Sequence, residues 1–104
     1  MASEIRQDIE NETARFTLSG RLDTINAPVL TEQLKSLIGR PIKKVVFMAK
    51  DLEYISSAGL RAMVFAKQKI GSDTQVYLIQ PQQTVLDVVI MTGFDSFLLI
   101  QDTI

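Results

Sequence analysis

Two adjacent hydroxyls, Ser56 and Ser57, stand between the polar stretch Asp51-Leu52-Glu53-Tyr54 and the run Ala58-Gly59-Leu60-Arg61. Serine just before an apolar-periodic run is a preferred helix cap, because its side-chain oxygen accepts from the free N–H groups of the first turn. The same N–H groups and the helix dipole favour an anion at that end, a phosphoryl group included. Ala58 and Gly59 keep the first turn bare, so a partner backbone or a nucleotide phosphate could approach closely. Taken locally, the pair needs no role beyond capping.

Other chemistry is scarce. The chain has no cysteine and no histidine. It cannot by itself form a disulfide, a thiolate nucleophile, a Cys/His zinc site or a Ser-His-Asp triad. Asp23, Asp51 and Glu53 make no recognisable acid–base pair, and the serines lack a base. No glycine-rich phosphate loop is present. No catalytic residue, metal or cofactor is expected. Arg21 and Arg61 could meet a carboxylate or phosphate, although solvated surface arginines are the commoner outcome.

The surrounding elements follow from periodicity. Ile5, Gln7 and Ile9, then Phe16 and Leu18, alternate with polar residues on either side of Glu10-Asn11-Glu12-Thr13, which predicts a hairpin buried on one face. Gly20 to Ala27 reads as a loop, and Pro28 suits a first helical position. Leu30, Leu34, Leu37 and Ile38 follow at helical spacing until Gly39 and Pro41. Val45 to Ala49 is a short apolar run suited to a strand buried on both faces.

Leu60, Met63, Val64 and Ile70 set a second helix, closed by Gly71-Ser72-Asp73. Val76 to Ile79 is another buried strand. Pro81 opens a third helix, apolar from Val85 to Met91, whose exposed remainder could serve a subunit contact. Phe97 to Ile100 closes the chain as a strand. The order β-β-α-β-α-β-α-β predicts one α/β domain over residues 1–104, with a mixed, mainly parallel sheet and helices packed on it.

Composition agrees with this class. The 104 residues are 46% apolar and 22% charged, a balance typical of one soluble domain. The net charge of −1 gives no footprint for nucleic acid or an anionic membrane. The N-terminus, Met1-Ala2-Ser3-Glu4, carries no secretory pattern, and no apolar run reaches the roughly 20 residues that span a bilayer. A cytoplasmic protein without direct membrane insertion is expected.

Over nearly its whole length the sequence resembles the STAS family, which includes bacterial anti-sigma-factor antagonists. The resemblance rests on Gly20-Arg21-Leu22-Asp23 with Ala27-Pro28, on Val45 to Met48 leading through Asp51-Leu52 to Tyr54-Ile55-Ser56-Ser57-Ala58-Gly59-Leu60-Arg61, and on Thr92-Gly93-Phe94. It implies a partner-switching regulator, not an enzyme. The unmodified protein would bind an anti-sigma-factor serine kinase and be switched off when that kinase phosphorylates a serine at the start of the second helix. A PP2C-type phosphatase would reset it. The matching position is Ser57, with Ser56 as the alternative acceptor, and Ser56 stands where such members usually carry aspartate. The implied partner surface comprises Asp23, Thr24, Ser56, Ser57, Ala58, Gly59 and Arg61. The alternative within the family is a non-phosphorylated scaffold or subunit of a transport or stress-signalling complex.

Overall fold

The computed structural model describes residues 3–71 and 73–103. The N-terminal pair Met1-Ala2, and Ser72 in the segment expected to close the second helix, lie outside them. The opening hairpin joins β1 (Glu4–Glu10) to β2 (Thr13–Leu22), with Asn11 in the left-handed region at φ 57°, a conformation that asparagine tolerates. Then follow α1 (Ala27–Lys35), β3 (Lys44–Ile55), α2 (Ser57–Lys69), β4 (Gln75–Ile79), α3 (Gln83–Met91), a 3-10 helix (Phe94–Phe97) and β5 (Leu99–Gln101).

Among the described residues the sheet has five strands in the order β1-β2-β3-β4-β5. β1 and β2 are antiparallel, and every later pairing is parallel across a helical crossover. This is the single mixed, mainly parallel α/β domain that the periodicity predicts. All three helices contribute to one core cluster with the inward residues of the sheet: Leu30 and Leu34 from α1, Leu60 and Met63 from α2, Val85 and Val89 from α3. Phe16 of β2 and Phe47 of β3 stack inside it with ring centroids 5.6 Å apart. Each such fully packed side chain truncated to alanine would cost about 2–5 kcal/mol.

Among the described residues no helix packs on the sheet's other face. Val46, Tyr77 and Ile79 form a second small cluster there, with Met48 against it. Parallel strands normally need cover on both faces. Here Val46, Tyr77 and Ile79 are nonetheless buried, and the Lys44 ammonium lies 5.9 Å from the Tyr77 ring centre.

Several boundaries differ from the expectations. Gly20-Arg21-Leu22 belongs to β2, so the loop before α1 spans only Asp23 to Asn26. Ala27 takes the first helical position and Pro28 the second. Leu37 and Ile38 lie in turns beyond α1; Leu37 is buried, while Ile38 faces solvent. Pro81 precedes the α3 cap residue, Gln82. Phe97 ends the 3-10 helix and does not enter β5.

The largest difference is β3, which continues through Asp51 to Ile55 where a loop is expected. Its pairing with β2 shifts twice, between Thr17 and Ser19 and between Gly20 and Arg21, and each shift gives β3 one extra residue. Alternation therefore fails after Ala49, and the next buried residues, Leu52 and Ile55, stand three apart.

Candidate functional site

The second bulge sets Leu22 beside Ile55 at the ends of β2 and β3, and α2 starts at once from that corner. The Ser56 N–H donates to the Leu22 carbonyl at 2.9 Å, anchoring the turn. Ser56 is then the N-cap of α2. Its backbone is extended, its carbonyl accepts from the Leu60 N–H at 3.0 Å, and its Oγ accepts from the Gly59 N–H at 3.2 Å. One serine is thus committed to the cap. The other, Ser57, is exposed at the first helical position, where the N–H groups of Ser57 and Ala58 have no acceptor within the helix.

Gly59 is buried, and its requirement is steric. A Cβ there would lie 2.9 Å from the Leu22 carbonyl oxygen and 2.9 Å from side-chain atoms of Leu22 and Ile55. Only the absence of a side chain lets α2 sit this close to the end of β2.

The loop Asp23 to Asn26 is held by its own polar groups. Asp23 Oδ1 accepts from the Ile25 N–H at 3.0 Å and from the Asn26 N–H at 3.4 Å. The Asp23 N–H donates to Asn26 Oδ1 at 2.8 Å, and Asn26 Nδ2 donates to the Arg21 carbonyl at 2.6 Å. The Ala27 N–H closes the turn on the Asp23 carbonyl at 2.8 Å. Asx-type bonding of this kind holds a short turn without glycine.

Asp23 also meets Arg21, Nε to Oδ2 at 3.8 Å, and the Arg21 guanidinium lies 4.1 Å from the centre of the Tyr54 ring. Arg21 and Tyr54 are directly paired across β2 and β3, so the stacking follows from register. The Arg21 side chain is well exposed, which leaves the ion pair little energetic weight.

Between α1 and α2 runs an open groove of about 540 Å³. Thr24, Ala27 and Thr31 line one side and Ala58, Arg61 and Phe65 the other. Of the residues expected at the partner surface, Thr24, Ala58 and Arg61 come together in this groove. Ser57 stands at its head, one residue before Ala58. Asp23 organises the loop from behind Thr24, Ser56 caps the helix, and Gly59 sets its distance from the sheet.

Ile25, 85% exposed at the loop tip, and Val29, exposed on the first turn of α1, were not among the expected site residues. The available signal was an isoleucine inside the polar segment Asp23-Thr24-Ile25-Asn26, out of phase with any apolar period. Among the described residues no group of three or more acids could hold a metal ion, and no helix is long and apolar enough to cross a membrane. Chemically, the arrangement offers an exposed hydroxyl at a helix start beside a preformed, partly apolar surface.

A family model described as STAS domain matches residues 3–104. Among solved structures, an anti-sigma factor antagonist from Mycobacterium paratuberculosis superposes with a TM-score of 0.85 at 17% identity, covering 99% of this chain and 88% of that one. SpoIIAA in its unphosphorylated form gives 0.76 at 14% identity over 99% of this chain and 90% of that one. The phosphorylated form of the Bacillus cell fate determinant SpoIIAA gives 0.72 at 16% identity over 95% and 90%. At these identities the likeness is one of fold. No curated protein matches the sequence.

Proposed function

The chain belongs to the STAS family, and from that premise we propose that it is an anti-sigma-factor antagonist that works by partner switching. Its unmodified form binds an anti-sigma-factor serine kinase across the start of α2, the Asp23–Asn26 loop and the groove between α1 and α2. The kinase transfers the γ-phosphoryl group of ATP to Ser57 Oγ, the serine proton leaves to the kinase, and ADP is released. A PP2C-type phosphatase restores the hydroxyl. The protein catalyses nothing itself and acts in the cytoplasm, where ATP is available.

The division of labour between the two serines carries this reading. Ser56 Oγ is occupied by the Gly59 N–H, whereas Ser57 is exposed. Phosphorylation adds about −1.5 to −2 charges. At the N-terminus of α2 that charge meets free N–H groups and the positive end of the helix dipole, so the fold tolerates it. A partner packed on Ala58, or one presenting its own nucleotide phosphates there, is repelled. The modification therefore breaks an interface and leaves the domain intact.

The test is mass spectrometry of the protein purified from its own cells, before and after treatment with a PP2C-type phosphatase. Phosphate on Ser57, removed by the phosphatase and absent from Ser57→Ala, is the expected result. Phosphate on Ser56 instead would sink the assignment. Ser57→Asp should melt within about 1 kcal/mol of the parent yet fail to retain the kinase in a pull-down.

A second reading within the family is an unmodified scaffold or subunit of a transport or stress-signalling complex. The groove and the exposed Ile25 favour it in one respect, since neither depends on the Ser57 hydroxyl. In that case Ser57→Ala and Ser57→Asp would bind the partner alike.

A further inference from the structure

The sheet ends on two unlike edges. On the outer strand β1, Glu4, Arg6, Asp8 and Glu10 crowd one side, with Arg6 Nε 3.6 Å from Glu4 Oε2. Charge of this density deters a further strand from pairing. The opposite edge, β5, is Leu99-Ile100-Gln101 and holds no charge. No strand among the described residues pairs beyond it.

Its free hydrogen-bonding groups can be assigned. The Gln101 carbonyl accepts from the Gln80 N–H at 2.9 Å, so Gln101 turns its backbone toward β4, and so does Leu99 two residues earlier. Ile100 turns its N–H and carbonyl away from the sheet. Leu99 and Phe97 are about two-fifths exposed beside this edge, and Ile90 and Met91, in the last turn of α3, are more exposed still.

We propose that β5 is the contact through which two copies of this chain join, antiparallel about a two-fold axis at Ile100. In that register the two Ile100 residues exchange both N–H···O bonds, and Leu98 lies opposite Asp102 of the second copy. Directly opposed residues share a face of the sheet. Leu98 and Ile100 both pack toward the helix-covered core, so Asp102 of the second copy arrives on the helix side.

A cation waits there. Lys67 of α2 and Leu98 line the same cavity of about 190 Å³ beside the start of β5. Lys67 Nζ donates to the Thr74 carbonyl at 3.1 Å and keeps two further protons for a carboxylate. The two-fold axis makes this Asp102–Lys67 pairing twice. It also joins the two sheets edge to edge and leaves the charged β1 edges outermost. Lys67 lies roughly 15 Å along α2 from Ser57, so the contact is independent of the proposed switch, and both copies keep that surface free.

Sedimentation velocity over a concentration series up to the millimolar range tests the contact on the full chain. The expected result is a concentration-dependent monomer–dimer equilibrium. Leu99→Lys and Asp102→Lys, both at exposed positions that leave the circular dichroism unchanged, should each raise the dissociation constant at least about tenfold. The double variant Lys67→Glu/Asp102→Lys should recover most of that loss, because the two charges are exchanged together. A chain that stays monomeric throughout, or a dimer indifferent to both single variants, overturns the proposal. A double variant no better than Asp102→Lys overturns the register.

Discussion

At the start of α2 the chain exposes Ile25, Val29 and Tyr54, and at the β5 end it exposes Ile90, Met91, Phe97 and Leu99. The two regions hold these residues by different means. Around α2, side chains bond to backbone in a closed net: Asp23 and Asn26 brace each other, Asn26 reaches Arg21, and Ser56 caps Gly59. Around β5 the described polar contacts are mostly local, as Thr92 makes to Val88 and Ser96 to Gly93, with Lys67 of α2 reaching the Thr74 carbonyl. One surface is shaped in advance by side chains and can discriminate among partners through them. The other offers a backbone edge, which any correctly polarised strand can read.

The contrast breaks first at Gly59. Gly59→Ala must push α2 away from the Leu22 carbonyl, and we expect a loss of about 1–3 kcal/mol in urea unfolding, despite alanine's better helix propensity. An unchanged midpoint would mean that this close approach does not define the site. Next comes Asn26→Ala, which leaves the Asp23 N–H and the Arg21 carbonyl without their partners. A cost of about 1–2 kcal/mol is expected, with faster amide exchange confined to residues 23–27. Exchange that rises evenly over the molecule would argue against a locally braced loop.

The serine pair sharpens the comparison within the site itself. Ser56→Ala should cost about 1 kcal/mol through the lost cap. Ser57→Ala should change stability by less than about 0.5 kcal/mol; equal losses in thermal melts would deny the division of labour between them. The smallest effect belongs to the other region. Met91→Gln, at a side chain 83% exposed, should stay within about 0.5 kcal/mol of the parent monomer. A larger loss would place Met91 in a packed contact that the monomer lacks.

Much of this was legible in local pattern. The hairpin alternation of Ile5, Ile9, Phe16 and Leu18, the helical spacing of Leu60, Met63 and Val64, and the apolar run Val45 to Ala49 each specify their element because a period of 2 or 3.6 survives in the residues themselves. Ser56 and Ser57 likewise announce a helix start from residue type alone. The second half of β3 was hidden because two bulges break its alternation, so Leu52 and Ile55 match no strand period. Phe97 was misplaced for a related reason. An apolar run from Phe97 to Ile100 fits a strand, but the 3-10 turn after Gly93, at φ 78°, takes its first residue.

The sequence by itself determined the order of elements, the apolar faces that build the core and the presence of a capped helix start, all of which depend on neighbours within a turn or two of chain. Tertiary structure decided which serine is spent on the cap and which stays free, since that follows from where the bulged end of β3 delivers Ser56 against Leu22. It also decided that Arg21 meets Tyr54, that Thr24 and Arg61 share a groove, and that β5 is left as an edge. Those outcomes depend on strand register and crossover, in which residues distant in sequence are brought together by pairing that no local period encodes.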